Sequence, residues 1–412
     1  MTQDSLTEKL ATHLMKPVDE VTRQRARLHL LDWLGCVAGA RRSKILAASS
    51  GLSGAARKAA LLGNVMEMDD VHRSAILHPG PVIWASAMMQ YPQKMDVFLD
   101  GAVRGYEAMI AVGQTLDKHH YSLWHPTATA GFFGSAGAMA TYLPLSETQL
   151  VWAFGNVGSV AGGLWNLRNE DVMTKQWHIL HATRTGADAV QSAMNGLTGP
   201  RFILEGAQGL YEATCKAPKP MTFPERWRIH EVSFKPWGAC RHAHPSIDAT
   251  LTLKAKLGKL HGDIHIATYA DAMTFCDRPD PVTVNDAKFS IQHSVAVVAE
   301  QGVPRLADFE PDAIEALADA RCRVIVSEAP DITARYPEHY GARVTCDGES
   351  VDLVDTLGDP ERPLAKDGVI DKARTLIAWG GLTEKEADRA IDLALNGVDP
   401  QAIHDMLEDW LS

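Results

Sequence analysis

Apolar residues recur at helical spacing through the first half of the chain, and the period-two alternation of strands enters only after about residue 217. Ser5-Leu6-Thr7-Glu8 has the spacing of a capping box, and the helical period predicts a helix continuing from it through Leu34. Further helices are predicted over 82–89, 101–116, 130–143, 150–161 and 178–195, all rich in Ala, Gly, Met and Leu. Ser146 and Gln149 form a second capping box after Pro144. Tight helix packing explains most of the small residues.

Lys216-Ala217-Pro218-Lys219-Pro220 ends the helical run. Strands are predicted at 264–270, 322–326, 342–346 and 350–354, the last two joined by Asp347-Gly348-Glu349, a hairpin signal. Helices near 245–257, 289–301 and 311–320 lie among them. Beyond 358–363 the helical pattern returns, with Thr383 to Glu386 as a third capping box. The pattern therefore predicts a mainly α fold with a smaller α/β domain: an all-helical domain of 1–228 and 358–412, interrupted by an α/β domain of 229–357.

A length of 412 residues exceeds what one compact core holds, which agrees with two domains. A 46% hydrophobic and 22% charged composition is that of a folded globular enzyme, so disorder does not dominate. The net charge of -11, without a run of Lys or Arg, argues against nucleic-acid or anionic-membrane binding, so basic groups for an anionic substrate must be gathered locally. Met1 to Ser5 has no secretory pattern and no apolar run reaches the ~20 residues that span a bilayer, so a cytoplasmic location is expected. The six cysteines show no paired spacing and are read as reduced thiols.

Chemistry concentrates in a few segments. Trp124-His125-Pro126-Thr127-Ala128-Thr129 places a histidine in a proline-led turn before hydroxyls and a small-residue helix, an arrangement suited to acid/base work; a core or capping histidine is the alternative. The upstream His119-His120 pair is expected at the surface. Glu67-Met68-Asp69-Asp70-Val71-His72-Arg73, followed by His78-Pro79-Gly80, packs carboxylates, histidines and an arginine so densely that mutual pKa perturbation is expected if it is buried; a solvated loop is the alternative. Lys175 and His178 share a helix face with Arg184 further along, either a carboxylate-binding stripe or a basic solvent face.

Cys240-Arg241-His242-Ala243-His244-Pro245 invites a zinc reading, but alternate residues of an extended segment point to opposite faces. One histidine facing a cleft, with Arg241 for an anion, is preferred. Asp286-Ala287-Lys288-Phe289-Ser290 leads into a helix carrying His293, which on its own reads as a buried histidine. No HExxH, paired-cysteine, Walker A or strand-linked GxGxxG motif is present, which removes support for a metal centre or a nucleotide site.

In this order, Gly105-Tyr106-Glu107, Trp124 to Gly131, Lys175 to Gly186, Gly196 to Pro200, Lys235-Pro236 with Cys240 to Pro245, and Ala287 to Ser290 resemble the MmgE/PrpD family, which includes 2-methylcitrate dehydratase, cis-aconitate decarboxylase and an iminodisuccinate epimerase. The resemblance implies a large all-helical domain and an α/β lid, a homodimer, an active site in the cleft between the domains, and no metal or organic cofactor. It places His78, His125, Lys175 and His244 at active-site positions, with Glu67 and Asp69 in the acidic motif. That motif usually reads Asp-Phe-Asp-Asp-Thr-His; here Glu67 keeps a carboxylate and Val71 replaces a hydroxyl, while His293 stands where a tyrosine is expected.

Together these readings predict a lyase that takes a proton from carbon next to a carboxylate of a small di- or tricarboxylate. His125, His78 and His244 would move protons, assisted by Lys175, Glu67 and Asp69, and Arg73, Thr127, Arg241, Lys288 and His293 would bind substrate. Dehydration of a 2-methylcitrate-like hydroxyacid is the leading expectation. Epimerisation or decarboxylation of an iminodisuccinate- or cis-aconitate-like acid is the close alternative, and a zinc hydrolase built on His178, His181 and His242 a remote one.

Overall fold

The computed structural model describes residues 4–170 and 172–412. Its chain divides into a helical unit, Met1–Val232 with Lys366–Ser412, and an α/β unit, Ser233–Ala365. The mainly α fold with a smaller α/β part is as the pattern predicts. The segment around 359 stays with the α/β unit because Asp359 is held there by Ser233 and Arg241.

The predicted capping boxes at Ser5 and Ser146 are both present. At Thr383 only half of one forms: its hydroxyl accepts from the Glu386 amide, but the Glu386 carboxylate accepts from Trp410 Nε1 at 2.8 Å instead of turning back. The long N-terminal helix is two helices, Leu6–Leu14 and Glu20–Gly39, because Pro17 cannot continue the first and Asp19 caps the second.

Helices Pro79–Met89, Met95–Gly113, Pro126–Ala140, Glu147–Gly158 and Thr174–Met194 follow, close to their predicted spans. Pro126–Ala140 is buried along nearly its whole length, which explains why its sequence shows no polar face. Lys366–Trp379 packs on Glu20–Gly39, so the C-terminal helices complete the unit that the N-terminal ones begin. Among the described residues no helix is long and apolar enough to cross a membrane.

The α/β unit holds a four-stranded sheet in the order β2-β1-β3-β4, with β1 Ile264–Thr268, β2 Val324–Glu328, β3 Ala342–Cys346 and β4 Glu349–Leu353. β1 and β2 are parallel, with Ile266 opposite Val326; the β1/β3 and β3/β4 pairs are antiparallel. Helices His244–Leu257 and Ile291–Gln301 supply Ile247, Leu253, Val295 and Val298 to a core shared with Ile264, Ile266, Val324 and Val344 of the sheet. The expected helix over 311–320 is two short ones, Pro311–Ala316 and Ala318–Arg321.

The predicted hairpin turn is present, with Asp347 at φ 51 and Gly348 at φ 81, the left-handed pair that matches strand twist. Alanine at 348 would have to adopt that conformation with a Cβ. We expect Gly348→Ala to cost about 1–2 kcal/mol, read as a lower urea midpoint for the α/β unit; an unchanged midpoint would show that the turn tolerates a Cβ.

Candidate active site

His78 and His125 occupy equivalent places, each at the N-cap of a helix whose first residue is proline. A following proline pushes its predecessor out of the helical region, and both histidines are extended (φ -111, ψ 95 and φ -83, ψ 106). Each imidazole therefore stands at a helix start, where the positive end of the helix dipole favours an anion. The two starts are tied together: the His78 amide donates to Thr127 Oγ1 at 3.1 Å. Thr127, expected to bind substrate, thus spends its hydroxyl as an acceptor for the His78 backbone.

The acidic loop is gripped residue by residue. Glu67 has φ 54, an uncommon conformation for a side chain of its size, and its carboxylate pairs with Lys175 Nζ from the first turn of Thr174–Met194. Lys372, itself paired with Asp32, donates to the Met68 carbonyl. Asp69 Oδ2 lies 2.8 Å from His78 Nδ1, a close contact between a carboxylate and an imidazole. Asp70 accepts from the Gly80 amide at 2.7 Å and from Tyr106 Oη at 2.6 Å, and lies 2.7 Å from His29 Nδ1. The loop is structured and buried, not solvated.

His125 is 1% exposed, and its Nδ1 lies 3.2 Å from His178 Nδ1. The 163–165 segment runs beside it: the His125 amide donates to Gly163 O at 2.7 Å, and the Trp165 ring sits 4.4 Å from the imidazole. Burial, then His178, Lys175 and His78, push the His125 imidazole well below its usual range, so it is neutral at neutral pH. Burial likewise lowers His178.

His120 corrects the sequence reading. It is fully buried rather than at the surface, its Nε2 lies 3.0 Å from Thr129 Oγ1, and burial lowers it to about 4. Arg184 is exposed, so the Lys175 and His178 face does not continue as a basic stripe. Arg73 is half-buried in the turn closed by the His72 and Leu77 bridge.

Within the α/β unit, Arg241 is buried and paired with Asp359, and its Nη1 lies 3.4 Å from His244 Nδ1. His244 is fully buried, with Nε2 3.1 Å from Ala239 O. Arg241 thus has an internal carboxylate partner, where the sequence reading left it open for a substrate. Lys288 is buried, and its carbonyl accepts from the Cys240 amide at 2.8 Å. His293 has Nε2 2.8 Å from Asp308 O and Nδ1 3.4 Å from Arg321 Nη1, which gives it a helix-packing role inside this unit.

The zinc reading loses its ligands. His178 faces His125, His181 is exposed and edge-on to Phe132, and His242 sits in an aromatic cage, stacked on Phe275 and Tyr340 with Nδ1 2.8 Å from Tyr269 Oη. Among the described residues the three-residue cluster of possible ligand atoms is His339, Asp355 and Glu361, which includes none of them.

The helical unit thus gathers His78, His125, Lys175, Glu67, Asp69 and Thr127. Trp165, His29, Tyr106 and Lys372 were missed by sequence reasoning because each enters through tertiary packing. Only Tyr106 carried a signal, as part of Gly105-Tyr106-Glu107.

Residues 49–222 match the profile of the MmgE/PrpD N-terminal domain, and residues 237–397 that of the MmgE/PrpD C-terminal domain. Cis-aconitate decarboxylase of Homo sapiens is 27% identical over 281 residues, covering 62% of this chain and 57% of that protein. Cis-aconitate decarboxylase of Mus musculus is 27% identical over 182 residues, 41% of this chain and 37% of its own length. The chain therefore spans less than two thirds of either. The cis-aconitate decarboxylase-like protein oryM of Aspergillus oryzae is 25% identical over 355 residues, 76% of this chain and 72% of the relative.

Proposed function

The chain belongs to the MmgE/PrpD family, and from that premise we propose that it is a lyase for a small tricarboxylate, acting by proton transfer at a carbon next to a carboxylate. The observation that carries this reading is that His78 and His125 stand at two proline-started helix N-termini tied through Thr127, while the acidic loop joins Asp69 to His78 and Glu67 to Lys175. In this reading Lys175 exchanges Glu67 for a substrate carboxylate, and the positive ends of the two helix dipoles favour negative charge beside it. His125 takes the proton from carbon. The enolate-like charge that develops is met by the Lys175 ammonium, a preorganised cation in a water-poor site.

The finer proposal is dehydration of a 2-methylcitrate-like hydroxyacid. His78, kept in place by Asp69, then gives its proton to the departing hydroxyl, which leaves as water as the carbon–carbon double bond forms. A second reading is decarboxylation of a cis-aconitate-like acid, favoured by the names of the similar proteins. There the carboxylate leaves as carbon dioxide, its bonding electrons shift through the double bond, and a histidine delivers a proton to the far carbon. Val71, apolar where the family pattern has a hydroxyl, removes one hydrogen-bonding group beside the acidic loop and keeps this reading and epimerisation in play.

Incubation in deuterated water with 2-methylcitrate, citrate and cis-aconitate, followed by proton NMR and by released carbon dioxide, tests the proposal. Loss of water with an alkene product supports the first reading, carbon dioxide with one deuterium in the product supports the second, and deuterium exchange without net change supports epimerisation. No exchange or turnover with any of these acids overturns the lyase proposal.

A further inference from the structure

We propose that Asp70 is a positioning residue for this reaction: by binding the Gly80 amide, Tyr106 and His29, it fixes the turn that aims His78. The inference rests on the function proposed above, and it concerns a carboxylate that has no role in the proton transfers themselves. Asp70 is 2% exposed. A carboxylate buried so deeply costs several kcal/mol unless its oxygens are satisfied, and here they are met by polar groups from three directions.

Oδ1 accepts from Gly80 N at 2.7 Å; Oδ2 accepts from Tyr106 Oη at 2.6 Å and lies 2.7 Å from His29 Nδ1. Trp84 Nε1 donates to Tyr106 Oη at 3.1 Å, which leaves the phenolic proton directed at Asp70. His29 and Tyr106 come from the Glu20–Gly39 and Met95–Gly113 helices, and Trp84 from Pro79–Met89, so three helices converge on one side chain.

The geometry gives this hub a specific task. Consecutive residues hold the same turn by different parts: Asp69 meets the His78 side chain, and Asp70 holds the backbone two residues on, at Gly80. Between them lies Pro79, whose fixed φ leaves the turn little freedom, so holding the Gly80 amide sets the direction of the His78 Cα–Cβ bond. Glycine is required at 80 for the same reason, since a Cβ there would lie 2.6 Å from Asp70 Oδ1. Displacement of a reacting group by about 1 Å costs roughly a hundredfold in rate, which is the scale of effect at stake.

Two variants test the proposal on the full chain with the acid the wild type turns over. Asp70→Asn keeps the shape but presents an amide to groups that need an acceptor. It is expected to lower kcat about 100-fold with KM changed by less than about threefold. Tyr106→Phe removes one donor while keeping the ring, and decides the matter if Asp70→Asn does not fold; a fall in kcat of about tenfold is expected. The histidine NMR signals assigned to His78 should shift in Tyr106→Phe while far-ultraviolet circular dichroism stays unchanged. Wild-type kcat in a folded variant, or a loss confined to KM, overturns the proposal. A wild type that turns over none of the acids defeats the lyase reading instead, and the positioning role then stands or falls on whether the His78 signals move.

Discussion

Replacing His125 by asparagine is expected to lower kcat by about 10²–10⁴-fold while the protein keeps its fold. Asparagine approximates the near half of the imidazole and leaves an amide that can face His178, so the packing under Trp165 is largely retained. What is lost is the group proposed to accept the proton. Because burial already keeps His125 neutral, the proposed base is ready without first shedding a proton, and water in so closed a place is a poor substitute. The measurement is kcat on the acid identified by the deuterium experiment, together with the rate of deuterium entry at carbon. Both should fall in parallel. A variant that keeps the wild-type rate of exchange would remove His125 from the chemistry and shift the burden to His78.

The largest expected effect on stability comes from the other side of the acidic loop. Lys372 and Asp32 form an ion pair whose side chains are 3% and 1% exposed, and the ammonium also donates to Met68 O. Lys372→Met leaves the Asp32 carboxylate buried without its cation, and loss of one partner of such a pair costs about 3–5 kcal/mol. The double variant Asp32→Leu, Lys372→Met removes both charges and should recover most of that loss. Urea unfolding of the wild type and both variants at neutral pH checks both statements: a Lys372→Met protein as stable as wild type would show that the pair contributes nothing, and a double variant no more stable than the single one would refute the recovery.

The pH dependence of Lys372→Met follows from the direction of the Asp32 shift. Burial raises Asp32 to about 6 even with Lys372 beside it, and removing the lysine raises it further. A carboxyl raised in the folded state binds its proton more tightly there than in the unfolded chain. The penalty is therefore fully present above the folded value, shrinks as pH falls through it, and vanishes below the unfolded value near ~4. The variant should recover relative to wild type on acidification; a gap that widens would contradict the account.

The loop from Glu67 to Asp70, which Lys372 grips at Met68, also carries the partners of Lys175 and His78. The loop is pinned by groups from five parts of the chain: His29, His78 and Gly80, Tyr106, Lys175, and Lys372. Such fixing holds Glu67 in its left-handed conformation, which a solvated loop would not maintain without return.

Much of this protein is written locally. The helical period, the capping hydroxyls of Ser5 and Ser146, and the Asp347-Gly348 turn determine where elements start and stop, because those signals act over a few bonds and need no partner from elsewhere. Proline after His78 and His125 likewise places both imidazoles at helix starts from sequence alone. Where a signal depended on a competing partner it failed, as at Glu386, whose carboxylate prefers Trp410, and at His120, drawn inward to Thr129.

What only the tertiary structure decided is which ionisable groups meet. Lys372 reaches Met68 across about three hundred residues, and His29 finds Asp70 across 41. No spacing encodes such encounters, since they arise when helices bury their shared faces and the few polar groups caught inside must satisfy one another.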